Sequence, residues 1–344
     1  MPLLRRAELR LPVITVEPGD DPAIDGRKAS FAAFEAAAQY PVDCVYFDLE
    51  DAEPDRPDLA TMARRFVISA IRDIDYGSRV VAVRPHALRS PHFEDDLVAL
   101  IEEVGDEIDA LILPGIETVE EVRELQTIVR NTQRVAGWRN NIALEIEIAT
   151  PRAVLEAAAI IAIDDVSSLV FDGPALARTL GTALDADTWV WDWSAVRQML
   201  PVVAAAHGKE AVDGSALRAA PLEGDLADLE SDQENVRREA EASWRHGFAA
   251  KRVHDAAHID VVQAVFTPPQ NAALEALGIA VAYARTPSRP IAGGRDWITA
   301  CGAIRTVKLA ARAGVLDEAD ITRSGFALPE LERLVRSRSH GTTS

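Results

Sequence analysis

Three carboxylates, Asp48, Glu50 and Asp51, follow one apolar run, Cys44-Val45-Tyr46-Phe47, within four positions. Carboxylates are costly to bury unless a cation or hydrogen-bond donor meets them, so the end of this run calls for a counter-charge or a ligand. Charged residues recur near the ends of later apolar runs: Arg84, then Glu117, Asp172 and Asp213. Glu145 and Glu147 lie within one such run, and Lys251 and His254 within another. Taken singly, each reads equally well as a structural ion pair. Together, acids gathered near an arginine suit a hard divalent cation and an anionic substrate.

These residues can meet only if the elements carrying them converge. Short β-prone runs alternate with longer helical ones: VITVEP (13–18), CVYFDLE (44–50), RVVAVRP (79–85), ALILPG (110–115), NIALEIEI (141–148), VSSLVFDG (166–173), KEAVDGSAL (209–217) and AAKRVHDA (249–256). Near-continuous apolar strands separated by helices imply parallel strands covered on both faces. Eight such units predict an α/β fold, a (β/α)8 TIM barrel, whose C-terminal strand ends converge on one mouth. No strand is followed by a glycine-rich dinucleotide loop, which argues against an open doubly wound sheet. The expected organisation is a barrel over 1–268, a C-terminal helical extension over 269–335 and a disordered tail over 336–344.

The chain has 344 residues, a formal net charge of −19, and 36 basic residues of which only four are lysine. That charge argues against nucleic acid as a partner, since phosphate binding needs basic patches. No run approaches the roughly 18 apolar residues of a membrane span, and the N-terminal stretch reaches a Pro-Gly turn too soon for a signal peptide. Cys44 and Cys301, the only cysteines, sit in apolar surroundings and read as reduced core residues of a cytoplasmic protein. Ser30 reads as the N-cap of a helix over 30–40. His254 and His258 have i,i+4 spacing, but a strand-to-helix change between them weakens any reading as a metal pair. Trp189, Trp191 and Trp193 alternate, a pattern that more often anchors an extended segment than stacks on an adenine.

The order of these stretches resembles the citrate lyase β-subunit and malyl-CoA lyase family, with its related pyruvate-dependent (HpcH/HpaI-like) aldolases. The matching segments are PGDDP (18–22), FDLEDA (47–52), VAVRP (81–85), LILPGIETVEEV (111–122), TPRAVLEA (150–157), LVFDGPALARTLG (169–181), AVDG (211–214) and GFAAKRVHDAAHIDVVQAVFTP (247–268). The resemblance implies a TIM-barrel carbon–carbon lyase that uses Mg2+ or Mn2+ and acts on a small 2-oxo or 3-hydroxy acid, or on its CoA thioester. It also implies a homo-oligomer, trimer or hexamer. In that frame Arg84 clamps the substrate carboxylate, and Asp48, Glu50 and Asp51 organise the shell around it. Glu117, Asp213 and Lys251 join Arg84 as substrate-binding residues.

The sequence departs from the family at the metal. Alanine stands at both positions where the pattern places the ligands, Ala149 before TPRAV and Ala175 after the sixth strand. Pro12 stands near the expected first-strand arginine, Pro85 and His86 follow Arg84 where asparagine is usual, and Gly115 replaces the lysine after Leu-Pro. Two readings remain open. In one, the metal moves deeper, to Glu147 and Asp172. In the other, Glu147 is a buried acid paired with Arg84 or Lys251, and the protein is a metal-independent enzyme or a non-catalytic, ligand-binding paralogue.

Overall fold

The structure is a computed structural model, which describes residues 4–14, 21–51, 57–182, 193–214, 226–285 and 297–337. Eight parallel strands close into a barrel in sequence order: β1 (Ala7–Pro12), β2 (Cys44–Asp48), β3 (Val80–Arg84), β4 (Ala110–Leu113), β5 (Ala143–Ile148), β6 (Val166–Phe171), β7 (Glu210–Asp213) and β8 (Ala250–Val253). Strand β8 pairs back onto β1, with Glu8 opposite Arg252. Around the barrel run α1 (Arg27–Ala37), α2 (Pro57–Asp73), α3 (Phe93–Val104), α4 (Val119–Ala136), α5 (Pro151–Ile161), α6 (Gly173–Leu180), α7 (Ser194–Ala206), α8 (Leu226–His246) and α9 (Ile259–Phe266). Among the described residues, no helix is long and apolar enough to cross a membrane.

The first strand is not the one the apolar pattern predicts. Residues 13–18 are the most β-prone stretch near the N-terminus, yet β1 lies earlier, in Ala-Glu-Leu-Arg-Leu-Pro; residues 15–20 lie outside the described residues. Its alternation is the reason, because Leu9 and Leu11 pack outward against the helices while Glu8 and Arg10 turn into the barrel. A strand with a charged inner face does not read as an apolar run. Helix α1 also differs from its expected start. A π-helical turn, Pro22–Gly26, precedes it with Asp21 as N-cap, and Ser30 is buried inside the helix, accepting from the Ile14 N–H and donating to the Gly26 carbonyl.

The same two-residue period divides every strand. Outward residues such as Val45, Phe47, Val83, Leu113, Ile146, Leu169 and Phe171 join the large core shared with the helices. Inward residues form separate apolar patches, Cys44, Tyr46, Val80, Ala82, Ala110 and Ile112 on one side and Val170, Val212 and Ala250 on the other. The remaining inner positions are charged. Barrel interiors are ordinarily filled by layers of branched aliphatic side chains; here arginines and carboxylates replace several of them.

Arg5–Phe266 form one compact unit and the helices from Thr267 onward form another. The second unit contains α10 (Gln270–Arg285), α11 (Trp297–Arg312), α12 (Glu318–Thr322) and α13 (Leu328–Ser337), packed around Ala280, Ile304, Val307, Leu331 and Val335.

Candidate functional site

Arg84 ends β3 with its guanidinium surrounded by acids. Its Nε and Nη2 donate to the two oxygens of Glu147 at 2.9 Å each, and Nη1 donates to Asp48 at 3.0 Å and also meets Glu50. Bidentate pairing of this kind fixes orientation as well as charge. Each buried partner holds a second arginine. Asp48 accepts from Arg10 Nε at 2.7 Å, and Glu147 accepts from Arg252 Nη1 at 2.6 Å. Arg252 continues inward, its Nε 3.4 Å from Glu8 and its guanidinium 4.6 Å from the centre of the Tyr46 ring. Arg5 then joins Glu8 at 2.7 Å and Glu145 at 3.0 Å. Four arginines and five carboxylates thus form a ladder from the floor of the barrel to its mouth.

The charges settle one another. Burial alone would raise the Glu147 carboxyl, but Arg84 and Arg252 outweigh it and bring it down to about 2. Asp48 is likewise buried and held below the ordinary carboxylate range by Arg84 and Arg10. Burial opposes the Arg84 charge, and Glu147, Asp48 and Glu50 more than restore it. Asp172, just past β6, behaves oppositely: burial and the nearby Glu147 charge raise its carboxyl. Its surroundings therefore favour the protonated form more than those of an ordinary aspartate.

This barrel, with an arginine clamped by acids at the ends of β2, β3 and β5, can be set beside known proteins. Residues 27–256 match the model of the HpcH/HpaI aldolase/citrate lyase family. The chain belongs to that family. It is 28% identical over 287 residues to an L-malyl-CoA/beta-methylmalyl-CoA lyase of Rhodobacter capsulatus, covering 77% of this chain and 81% of the relative. A citrate lyase beta subunit from M. tuberculosis, solved with oxaloacetate and magnesium, is 25% identical with a TM-score of 0.55, covering 77% of this chain and 98% of that one. A citrate lyase from Burkholderia xenovorans shares the fold at a TM-score of 0.71 and 17% identity, covering 95% of this chain and 97% of its own.

Within this citrate lyase-family barrel, the sequence-predicted residues divide into three groups. Arg84, Asp48, Glu50 and Glu147 come together in the mouth, with Asp172 beside Glu147. Asp51 closes a short 3-10 turn, Leu49–Asp51, and its side chain lies outside the described residues. Trp189 and Trp191 also fall outside them. Asp213 and Lys251 do not reach the mouth. They pair across β7 and β8 on the outer face of the sheet, where Asp213 meets Lys251 at 3.2 Å, Arg197 at 3.0 Å and Ser243 at 2.5 Å. Both are sealed under α7 and α8, with Arg197 fully buried between the Phe171 and Phe248 rings. Asp213 and Lys251, expected as substrate-binding residues, thus have a strand between them and the lumen. Glu117 serves the loop after β4 instead: it pairs with Arg89 at 3.2 Å, beside the Glu121 that caps α4. His258 pairs with Asp232 at 2.6 Å rather than with His254.

Arg10 and Arg252 are among the ladder residues that escape a reading by apolar runs. Strand alternation would have found both. Arg10 is two residues before Pro12 and so shares its face, and Arg252 is the inward neighbour of the outward Lys251.

A divalent ion held by Glu147 and Asp172 does not fit the donors as they stand. Glu147 Oε1 already accepts from both Arg84 Nε and Arg252 Nη1, which uses both lone pairs of that oxygen. Asp172 Oδ1 caps α6 by accepting from the Ala175 N–H at 2.9 Å. Among the described residues no group of three His, Cys, Asp or Glu side chains gathers to hold a metal. Alanine at 149 and 175 supplies no replacement.

Proposed function

We propose that the protein is a carbon–carbon lyase acting on a small 3-hydroxy acid or its CoA thioester, releasing a 2-oxo acid. The observation that carries the reading is Arg84: a guanidinium fixed at the barrel mouth, in a family whose relatives include a malyl-CoA lyase and an oxaloacetate-bound citrate lyase subunit. Arg84 binds the substrate carboxylate in exchange for Glu50. Glu50 is the one acid on it that holds no second arginine among the described residues, and its side chain is 38% exposed. Asp48 and Glu147 keep the clamp rigid from below, so its orientation is set before substrate arrives. In cleavage the hydroxyl proton passes to Asp172 Oδ2 as the bond to the neighbouring carbon breaks. The electron pair moves onto the departing enolate, and the proton returns to that carbon. A carboxyl raised by burial suits this exchange.

The magnesium of the M. tuberculosis neighbour would supply Lewis-acid polarisation of the oxo group in that protein. The donors here do not fit it, and no step is assigned to it. A homo-oligomer in the cytoplasm, as trimer or hexamer, belongs to the same reading, and light scattering of the purified chain measures it.

The test is turnover. Malyl-CoA and its methyl homologues are offered as substrates, and the released 2-oxo acid is trapped as its phenylhydrazone. Arg84→Ala is expected to lower kcat/KM by at least about 100-fold. Normal turnover in that variant would overturn the assignment. Oxo-acid binding without any product would favour the ligand-binding paralogue instead, a second reading prompted by the missing metal donors.

A further inference from the structure

Arg252 carries an unmet demand. Its Nη1 is committed to Glu147 at 2.6 Å, its Nε lies 3.4 Å from Glu8, and its plane rests on Tyr46. The side chain is 4% exposed, and its Nη2 is buried with no hydrogen-bond partner among the described residues. Buried donors left unpaired are rare in folded proteins, and the exceptions cluster where a ligand, ion or water completes them. A guanidinium donor attracts an oxygen bearing negative charge.

Its position matters as much as its vacancy. Arg84 and Arg252 reach the same carboxylate from β3 and β8, so two fixed positive charges flank Glu147 where an acid-held cation would otherwise sit. A divalent ion in that place would face both guanidiniums and would have to displace one of them. A 2-oxo acid has the complementary form, a carboxylate and a carbonyl oxygen on adjacent carbons.

We propose that Arg252 is the resident cation of this site: its free Nη2 hydrogen-bonds the oxo oxygen of a 2-oxo acid whose carboxylate is held by Arg84, and the ligand binds without a divalent metal. The proposal rests on the lyase reading above, and it deepens that reading by replacing the family's ion with a side chain. Arg252 thereby stabilises negative charge on that oxygen from a preset position, with no cation to recruit.

The experiment is calorimetric binding of pyruvate and glyoxylate to the full chain in EDTA and in excess magnesium, alongside Mn2+ titration followed by EPR. The wild-type protein is expected to bind the oxo acid with the same Kd in both buffers and to show no saturable Mn2+ site. Arg252→Met is expected to weaken binding in EDTA by about 10-fold or more, and Arg252→Lys, which keeps charge but loses the planar fork, by less. Binding that appears only with magnesium would overturn the inference and leave the lyase reading intact. Unchanged affinity in a folded Arg252→Met would also overturn it. No binding of either acid in either buffer would remove the lyase reading together with the inference. Should Arg252→Met fail to fold, the wild-type comparison decides alone, since it needs no substitution.

Discussion

Charged residues in this barrel fall into two sets that one strand position separates. Lys251 and Arg252 are neighbours in sequence, yet one faces the helices and the other the lumen. The lumen set holds the arginines proposed to meet the ligand, and the outer set of Asp213, Arg197, Ser243 and Lys251 holds α7 and α8 against β7 and β8. Burial of the Asp213 carboxylate is offset by Arg197 and Lys251, which hold it well below its ordinary range. Removing one of two counter-charges leaves the other, so the loss is smaller than for an isolated buried pair. Lys251→Met is therefore expected to cost about 2 kcal/mol of stability, seen as a lower denaturant midpoint. Its kcat and KM should stay near the wild-type values. A loss of turnover with unchanged stability would restore Lys251 to the substrate site and contradict the outward orientation.

Among the elements, helix starts are set by local chemistry that also shapes the loops of the mouth. Helix α4 begins with a reciprocal cap: Thr118 accepts from the Glu121 N–H at 3.2 Å, and Glu121 accepts from the Thr118 N–H at 3.0 Å and the Glu117 N–H at 2.7 Å. The turn before it needs Gly115, whose φ of 77° is a left-handed conformation and whose added Cβ would lie 3.2 Å from the Ala87 Cβ. A glycine at this position follows from this geometry. Thr118→Ala is expected to lower stability by about 1 kcal/mol, the usual value of an N-cap. Thermal unfolding of that variant checks it, and no change in midpoint would mean that Glu121 alone holds the helix start.

For the whole molecule, what could be read in the sequence followed the outer faces of the strands. Seven of the eight strands announce themselves by apolar residues that pack outward, as in Val45 and Phe47 or Leu111 and Leu113, so the barrel and its mouth were legible. Arg84 and Asp48 were legible as strand-end charges. Strand β1 was not, because Glu8 and Arg10 break its apolar run, and the partners of Glu147 were not, because pairings 63 and 105 residues apart leave no local signal. The apolar cores also divide. The barrel core runs from Ala7 to Phe266, whereas the helices after Thr267 enclose their own around Ala280, Ile304 and Leu331. A unit with a closed sheet and a complete core meets the usual condition for folding independently. A chain ending at Phe266 is therefore expected to unfold in a single cooperative transition, with near-ultraviolet circular dichroism and denaturant midpoint read on the same sample. A non-cooperative transition with lost near-ultraviolet signal would show instead that the barrel depends on the C-terminal helices for its fixed packing.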